Sequence, residues 1–470
     1  MIDTQAIRSK ILDLAMRGKL TEQLPEDGTA EELYRRIQAE KQALIKVGKI
    51  KKEKPLPEIA ADEVPFEIPK SWKWVRMGAL VRVISGVSYE KSDVSTNGLR
   101  IFRGGNIQNT RISLDHSDVF LPFAYKDDDK IVRKGDVIIV ASTGSETAIG
   151  RAGYADKDYE NAMIGAFLRI CRPIASSISM YIRAIFMSNY YLQHIRHESK
   201  GTNINNVKEK YITHFVVPLP PFAEQHRIVA RIEQVFSALN TIDALQAKYA
   251  DNLAVLKSKL IDAAIQGKLT EQLPEDGTAE ELYRQIQAEK QALITAGKIK
   301  KRKPQQEFTD NEIPFVIPSD WKWVPLGELI SIESGRGLTA AEMKPGKIPV
   351  YGGNGISGHH DCGFVPEGTV VIGRVGYYCG SVHVTKGEAW VTDNAFITTY
   401  PEKCIDKWFL VHALRHMKLG QKNNGSAQPV VSGKKIYPLP FPLPPLAEQM
   451  RIVKRLDEVL KLVEAGQGGA

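Results

Sequence analysis

The sequence predicts an α+β protein in which two globular α/β domains are joined by long antiparallel coiled-coil helices. A repeat and a heptad pattern lead to this fold class. Residues 18–35 recur letter for letter as residues 267–284, an offset of 249 positions, and the motif around Glu224 returns around Glu448, an offset of 224. Because the two offsets differ, the repeated segments enclose two blocks that differ in length and sequence. The chain therefore has an internal repeat with an approximate two-fold relation.

The repeat divides the chain into seven segments. In order, these are the N-terminal half of a split helix (1–17), a helix with a basic linker (18–62), the first globular domain (63–221), a central helix (222–266), a second helix with a basic linker (267–311), the second globular domain (312–445), and the C-terminal half of the split helix (446–470).

The first two segments and their later copies are predicted to be helical. Ile7, Ile11 and Leu14 have helical spacing and match Leu256, Leu260 and Ala263. The runs Thr-Ala-Glu-Glu at 29–32 and 278–281 form capping boxes, which predict short amphipathic helices ending near Gly48 and Gly297. The basic runs at 49–52 and 298–304 that follow are typical of solvated linkers.

Both globular domains are predicted to contain curved sheets with a few helices. Each opens with Pro-aromatic-x-Ile-Pro-x-x-Trp-Lys-Trp and continues with short apolar runs between glycines, such as 136–140 and 369–372. Residues 179–194 and 407–419 have helical patterns.

The central helix carries the clearest periodicity. Ile228, Ile232, Val235, Leu239, Ile242, Gln246, Tyr249, Leu253, Leu256, Leu260 and Ala263 follow alternating steps of four and three, as in a coiled-coil seam. Ile452, Leu456, Val459 and Val463 repeat its first half near the C-terminus, while residues 1–17 repeat its second half. A second long helix is therefore cut between the termini, the repeat is circular, and we expect the chain ends to meet in space.

Composition favours a folded cytoplasmic protein with an acidic partner. The 470 residues are 43% hydrophobic and 25% charged, with a net charge of +8. No run of about 18 apolar residues and no signal peptide is present, so no membrane association is expected. The four cysteines form no CxxC pair, so we interpret them as reduced packing residues.

The search for catalytic motifs fails. The sequence contains no GxxxxGK[ST] loop, no HExxH and no amine-holding Asp/Asn-Pro-Pro-Tyr/Phe tetrapeptide. Asp320 with Glu342 and Lys344 gives only a weak nuclease-like spacing, and no copy exists in the first half. His359 and His360 are adjacent and would point apart on a strand, so surface polar residues are favoured over a metal site.

Loops rich in glycine, amide, hydroxyl and arginine are the candidate DNA-binding sites. Arginine can bind guanine, and asparagine or glutamine can bind adenine, through paired hydrogen bonds. Ordinary turns are the alternative for any single loop. The candidates are Ser88, Tyr89, Arg103, Asn106, Gln108, Asn109, Ser142, Ser145, Lys200, Thr202, Asn203, Asn205 and Asn206 in the first domain, and Arg336, Tyr351, Asn354, Arg374, Tyr377, Lys422, Asn423, Asn424, Ser426 and Gln428 in the second.

Taken together, these motifs resemble the specificity subunit of a type I restriction-modification system. The resemblance rests on Pro-Leu-Pro-Pro-[Phe/Leu]-Ala-Glu-Gln-x-Arg-Ile-Val, the long heptad helix with Gly-Lys-Leu, the Trp-Lys-Trp-Val openings, Gly-Asp-Val-Ile-Ile-Val at 135–140 and the late glycine loops. It implies two target-recognition domains, each binding one half of a split double-stranded DNA sequence. It also implies helices that dock two methyltransferase subunits, within a complex that also holds restriction subunits.

Such subunits have no catalytic centre, so the resemblance implies no cofactor or metal in this chain, with S-adenosylmethionine, ATP and Mg expected in the partner subunits. One departure is that the second helix stops at residues 466–470. Its completion then depends on residues 4–17 or on a partner. Two alternatives stay open: a coiled-coil scaffold that binds no DNA, and a self-contained nuclease or methyltransferase. Salt-sensitive DNA binding would argue against the first, and cofactor binding by the isolated chain would support the second.

Overall fold

A computed structural model describes residues 1–52, 54–108, 110–114, 118–199, 205–297, 299, 308–420 and 430–468. The chain forms two compact units, Ile2–Gln246 and Ala247–Ala470, the latter with Met1. Each unit combines helices with β-sheets, which confirms the predicted α+β class. No helix in these ranges is long and apolar enough to cross a lipid bilayer.

The described part of the N-terminal unit contains five complete α-helices and the first part of a sixth. The helices are α1 (Thr4–Met16), α2 (Ala30–Lys46), α3 (Ser179–Met187), α4 (Asn189–Glu198), α5 (Glu209–Thr213) and α6 (Phe222–Ile265). The strands are β1 (Lys73–Arg76), β2 (Val81–Ser85), β3 (Leu99–Phe102), β4 (Ile107–Gln108), β5 (Arg111–Ile112), β6 (Val119–Leu121), β7 (Val137–Val140), β8 (Ser142–Thr143), β9 (Ala152–Tyr154), β10 (Ala162–Ile164), β11 (Leu168–Pro173), β12 (Asn205–Asn206) and β13 (Val216–Leu219).

Over its described residues, the strands of this unit form one six-stranded sheet and three smaller ones. The large sheet has the order β2-β11-β7-β9-β5-β4, and a second sheet has the order β10-β3-β6. Strand β11 runs antiparallel to both β2 and β7, whereas β3 and β10 are parallel. The ends of β2, β7, β3 and β10 therefore bring their following loops to one side of the sheets.

Among its described residues, the C-terminal unit contains the rest of α6 and five more α-helices. They are α7 (Ala279–Thr295), α8 (Leu326–Leu329), α9 (Lys407–His416), α10 (Gly433–Ile436) and α11 (Leu446–Gly468). The strands are β14 (Lys322–Pro325), β15 (Ser331–Ser334), β16 (Ile348–Gly352), β17 (Gly355–His360), β18 (Val370–Gly373), β19 (Val382–Val384), β20 (Trp390–Val391), β21 (Ala395–Thr399) and β22 (Pro440–Leu443).

The strand pairing of the C-terminal unit repeats that of the N-terminal unit. One sheet has the order β15-β21-β18-β19, and another has the order β17-β16-β20 with β16 and β20 parallel. Strands β15, β16, β18, β20 and β21 thus take the places of β2, β3, β7, β10 and β11. The two globular domains share a topology although their sequences differ.

A buried glutamate ties each globular domain to its helices. In the N-terminal unit, Trp72 Nε1 donates to Glu224 Oε2 (2.7 Å), while Gln23 Nε2 and Thr21 Oγ1 donate to Glu224 Oε1 (2.9 and 3.1 Å). In the C-terminal unit, Glu448 receives the same three hydrogen bonds, from Trp321, Gln272 and Thr270, at 2.8, 2.9 and 3.3 Å. We call each set a glutamate node. The nodes join the domain opening, the first turn of α6 or α11, and the turn that precedes α2 or α7.

A bidentate ion pair beside each node is repeated as well. Arg227 donates to both carboxylate oxygens of Asp27 at 2.6 Å, and Arg451 does the same to Asp276. These hydrogen bonds hold the pKa of each aspartate below its usual value. The LPEDG turns, which supply both aspartates, are thereby fastened to the helices.

The split helix pairs as the circular repeat predicts within each unit. Helix α1 runs antiparallel to the first part of α6, because Arg8 donates to Asn240 and Asp243 (2.9 Å each) while Ile2 N donates to Gln246 (2.6 Å). In the C-terminal unit, Lys257 of α6 donates to Glu464 of α11 at 2.9 Å. This is the equivalent pair, since Lys257 lies 249 positions after Arg8 and Glu464 lies 224 positions after Asn240.

The predicted heptad seam is buried at its first turns and exposed in the middle. Ile228, Ile232 and Leu239 are buried, whereas Tyr249 and Leu256 are more than 40% exposed. The heptad positions in the middle of α6 are thus exposed in this chain, which the coiled-coil pattern alone did not indicate. Residues 247–252 are all exposed, between the stretch that pairs with α1 and the stretch that pairs with α11.

The capping boxes begin helices as predicted. Thr29 and Thr278 cap α2 and α7, and the chain leaves these helices through Gly48 and Gly297, both with positive φ. The first basic run is not merely a solvated linker, because Ile50 is buried and Lys49 O accepts a hydrogen bond from Arg82 (3.0 Å). Most of the second basic run lies outside the described residues.

Candidate nucleic-acid interface

In the N-terminal unit four loops converge, and we call them the first loop cluster. They follow β2, β3, β7 and β10 and comprise residues 86–89, 103–105, 141–145 and 165–167. Backbone hydrogen bonds connect them, since Gly165 N donates to Phe102 O (2.9 Å) and Ala141 N donates to Phe167 O (2.8 Å). The loops thus form one continuous surface.

The C-terminal unit has an equivalent second loop cluster. It comprises residues 335–337, 353–354, 374–378 and 392–394, which follow β15, β16, β18 and β20. The connecting hydrogen bonds are the same, because Thr392 N donates to Tyr351 O and Arg374 N donates to Asn394 O, both at 2.9 Å. The loop backbones correspond although their side chains differ.

A glycine at the start of each cluster permits the close approach of its loops. A Cβ atom on Gly86 would lie 2.1 Å from Gly165 O, and one on Gly335 would lie 2.2 Å from Val391 O. Such distances are far below van der Waals contact. Any other residue at either position would force the first and fourth loops apart.

Most predicted site residues of the first domain that the structure describes lie in or beside the first loop cluster. Ser88, Arg103 and Ser145 are exposed, while Tyr89 and Ser142 are half-buried. The remaining described candidates lie nearby: exposed Gln108 donates to Gly105 O at 2.8 Å, and the backbones of Asn205 and Asn206 pair with Thr143 and Ser142.

Asn106 does not fit the predicted base-binding role. It is only 3% exposed, and its side chain bridges three groups: it accepts from Arg103 N (2.8 Å) and donates to Ser113 O (3.0 Å) and Asp118 Oδ1 (2.6 Å). Each of these partners would need replacement before the amide could meet a base. Asn106 is therefore a structural residue that shapes the loop carrying Arg103.

In the second domain, Arg336, Asn354 and Tyr377 are exposed in the second loop cluster. The guanidinium of Arg336 lies 4.2 Å over the ring of Phe364, and the ring of Tyr377, 87% exposed, meets that of Tyr378 edge-on. Arg374 is half-buried and donates to Ser334 Oγ (2.8 Å), so it also holds two loops together.

The burial of Tyr351 does not fit its predicted contact with DNA. Its side chain is 4% exposed and packs in a small core with Val365, Val371 and Val391. Gly352 ends β16 and the next two residues form a turn, in which only Asn354 is exposed.

Nine predicted site residues lie outside the described residues. They are Asn109, Lys200, Thr202, Asn203, Lys422, Asn423, Asn424, Ser426 and Gln428. Their roles stay predictions.

The sequence analysis missed two exposed residues in the loop clusters, Phe167 and Asn394. Phe167 is 69% exposed between two buried strands, and Asn394 is exposed at the equivalent place. The search for polar loops passed over Phe167 because it is apolar. Asn394 lies in a short Thr-Asp-Asn stretch without the glycines that marked the other loops.

Hydrogen bonds to its backbone carbonyls fix the loop that carries Phe167. Arg169 donates to the carbonyls of Ala166 and Leu168, both at 2.8 Å, and burial lowers the pKa of this arginine. Ser142 N adds a second hydrogen bond to Phe167 O at 3.1 Å. The backbone of this loop is thus fixed on both sides of the aromatic residue.

Within the described ranges, His360, Asp361 and Cys362 form the one cluster of potential metal ligands, and Asp320 and Glu342 do not join it. His360 was expected on the surface but is buried, where its Nδ1 accepts from Lys344 N at 3.0 Å. Glu342 instead caps a turn by accepting from Thr339. All four cysteines are free thiols; Cys362 is exposed, so it is not the packing residue that was expected.

Comparison with known proteins shows the family to which the chain belongs. A family model described as the type I restriction modification DNA specificity domain matches residues 69–248 and 318–467. The Escherichia coli type I restriction enzyme EcoAI and EcoEI specificity subunits are 28% and 25% identical over 97% of this chain, and the matches cover 88% and 89% of those relatives. A solved chain, from work on complex assembly and conformational transition of the type I R-M system, has a TM-score of 0.57 at 18% identity and covers 85% of this chain and 93% of its own length.

Proposed function

Because the chain belongs to the family of type I restriction-modification DNA specificity domains and contains two of them, we propose that it is a non-catalytic specificity subunit for a two-part DNA target. Each loop cluster binds one half of a double-stranded sequence. The observation that carries this proposal is the pair of loop clusters, which share a backbone frame and differ in their side chains.

The contrast between scaffold and loops supports separate recognition by the two domains. The glutamate nodes, the aspartate–arginine pairs and the capping threonines are identical in both units. In the loop clusters, by contrast, Phe167 corresponds to Asn394 and Ala141 to Arg374. Side chains that contact base edges determine sequence preference, whereas scaffold contacts do not.

The exposed groups of the clusters suit base recognition in DNA. Arg103 and Arg336 can each donate two hydrogen bonds to guanine, and Asn354 can pair with adenine. The net charge of +8 favours binding to the phosphate backbone, so binding should weaken as salt increases.

We further propose that the helices dock two methyltransferase subunits, in a complex that also takes restriction subunits. Leu245, Tyr249, Val255 and Leu256 of α6 are between 42% and 61% exposed. Exposed apolar residues of this kind on one helix are typical of an interaction surface. The methyltransferase and restriction subunits would supply S-adenosylmethionine, ATP and Mg chemistry, and this chain alone should have no methylation, cleavage or ATPase activity.

The decisive experiment exchanges one domain. Residues 312–445 are replaced by the corresponding block of a relative, the chain is expressed with its methyltransferase partners, and the methylated sites of the host genome are determined. One half of the methylated sequence should change while the other half stays the same.

The reciprocal exchange of residues 63–221 is the matched control and should change the other half only. A change in both halves after either exchange would contradict separate recognition. If the correctly assembled, unaltered complex shows no salt-sensitive DNA binding, the result would instead support a scaffold that binds no DNA.

A further inference from the structure

The loops that contain Phe167 and Asn394 are equivalent down to their hydrogen bonds. Gly165 N donates to Phe102 O, and its counterpart Thr392 N donates to Tyr351 O. Two residues later, Phe167 O accepts from Ala141 N at 2.8 Å, just as Asn394 O accepts from Arg374 N at 2.9 Å.

The turns close in the same way, since Leu168 N donates to Gly165 O (2.9 Å) and Ala395 N donates to Thr392 O (3.0 Å). Phe167 and Asn394 therefore occupy the same backbone position in the two domains. Both are exposed in their loop cluster.

The two side chains differ in the chemistry they offer to a base pair. The groups on base edges are hydrogen-bond donors and acceptors, apart from the C5-methyl group of thymine in the major groove. An exposed phenylalanine among base-binding groups has this methyl as its natural partner. The natural partner of an exposed asparagine is adenine, because the side-chain amide can hydrogen-bond to N6 and N7 together.

We propose that Phe167 and Asn394 are equivalent specificity-determining residues that each recognise one A·T pair, Phe167 through the thymine methyl group and Asn394 through the adenine edge. The inference rests on the proposed function, in which the loop clusters face DNA. It goes further by assigning one position of each half-site to a residue and a base.

The rigidity of the loop explains how a phenylalanine could select a single methyl group. The Phe167 carbonyl is fixed by Ala141 and Ser142, and the neighbouring Ala166 carbonyl is fixed by Arg169. A fixed backbone restricts the ring to a few rotamers, so contact with the methyl is not offset by a large loss of chain entropy.

The first experiment changes the protein. The complex with its methyltransferase subunits is assembled with Phe167→Ala, and its preferred sequences are selected from randomised DNA. Preference for an A·T pair should be lost at one position of the first half-site. Phe123→Ala is the matched control, because Phe123 is 59% exposed in the same domain. It follows β6, whose last residue pairs with Leu99 at the start of β3, whereas Arg103 follows the end of β3. Loss of the Phe123 side chain should leave the selected sequence unchanged.

The second experiment changes the DNA and therefore does not depend on the folding of a variant. Each thymine of the first half-site is replaced in turn by uracil, which lacks only the methyl group. At one position the unaltered complex should bind about fourfold more weakly, the effect of one buried methyl group. Phe167→Ala should bind the thymine and uracil duplexes equally.

Asn394 is tested in the same way with 7-deazaadenine, which lacks the N7 acceptor. At one adenine of the second half-site the unaltered complex should lose about tenfold in affinity, whereas Asn394→Ala should show no difference between the two duplexes. Phe167→Asn gives the first domain the residue of the second and should remove the dependence on the thymine methyl.

The outcomes separate this inference from the proposed function. If Arg103→Ala alters the selected sequence but Phe167→Ala does not, or if no uracil substitution weakens the unaltered complex, the role of Phe167 is refuted while the loop cluster keeps its function. If neither variant alters the sequence, the assignment of the first loop cluster to DNA fails as a whole.

Discussion

Replacement of Glu224 by glutamine should loosen the N-terminal unit without changing the volume of its core. Glu224 is fully buried, and its two oxygens accept three hydrogen bonds from Trp72, Gln23 and Thr21. Glutamine has one acceptor oxygen and one donor NH₂ group. Turned one way, the NH₂ group faces the buried indole donor of Trp72; turned the other way, it takes the place of the charged acceptor of Gln23 Nε2.

The size of the effect follows from this conflict. A buried donor left without an acceptor costs about 1 to 3 kcal/mol, and hydrogen bonds to a charged group contribute about 1.5 to 3 kcal/mol. Glu224 also lies in the first turn of α6, where the helix dipole favours a negative charge. We therefore expect the free energy of local opening to fall by about 2 to 3 kcal/mol, which corresponds to an opening equilibrium about 30 to 140 times more favourable.

Amide hydrogen exchange measured by mass spectrometry provides the assay. Peptides that cover β1, directly after Trp72, should exchange about 30 to 140 times faster in Glu224→Gln. Peptides that cover β14 in the C-terminal unit should be unaffected. Glu448→Gln is the matched control, because it removes the equivalent carboxylate and should reverse the pattern.

A second variant tests the cause. In Trp72→Phe with Glu224→Gln, the amide NH₂ group can turn toward the site that the indole donor has left. The double variant should therefore lose less stability than the sum of the two single variants. A folded Glu224→Gln protein whose β1 exchange rises less than about threefold would refute the argument, as would additive effects in the double variant.

Three other perturbations have defined outcomes. Arg103→Ala should cost about 1 to 3 kcal/mol in binding and relax one position of the half-site, whereas Asn106→Ala should lower the melting temperature, as sequence selection and thermal melts will show. Arg227 depresses the pKa of Asp27, so this pair stabilises the fold above the aspartate's unfolded pKa of about 3.9. The contribution is lost as pH falls through the folded pKa, and Asp27→Asn should therefore make the free energy of unfolding depend less on pH in acid. Seven residues inserted after Ala250 add about 10 Å of helix and, if the helix sets the half-site spacing, should lengthen the methylated spacer by about three base pairs.

The repeated scaffold could be predicted because each of its signals is local. A capping threonine needs only a glutamate three residues later, and the pairing of α1 with α6 follows from the offset of the repeat. Burial along α6 could not be predicted in the same way. Tyr249 and Leu256 continue the heptad pattern, yet both are exposed. Their exposure depends on where the partner helices begin and end, and the periodicity of one helix carries no information about that.

The site was harder to predict because neighbours in one loop can have opposite surroundings. Arg103 and Asn106 are three residues apart, but the turn exposes the first and buries the second against Asp118. Their residue types alone make both suitable for base recognition. The exposure of Phe167 could not be predicted either, because an apolar residue between two buried strands is indistinguishable in sequence from the core around it.

The close contacts within the loop clusters suggest how specificity can vary without loss of the fold. Gly86 and Gly335 have no room for a Cβ atom, so the crossing of the first and fourth loops tolerates only glycine. The carbonyls of Phe167 and Asn394 are bound by backbone amides, which any residue except proline at positions 141 and 374 can supply. The constraints thus act on the backbone and on the glycines, while the exposed side chains take part in none of the shared hydrogen bonds. A substitution at 167 or 394 should therefore leave the loop frame intact, so that the base preference proposed for these positions could change without loss of the fold.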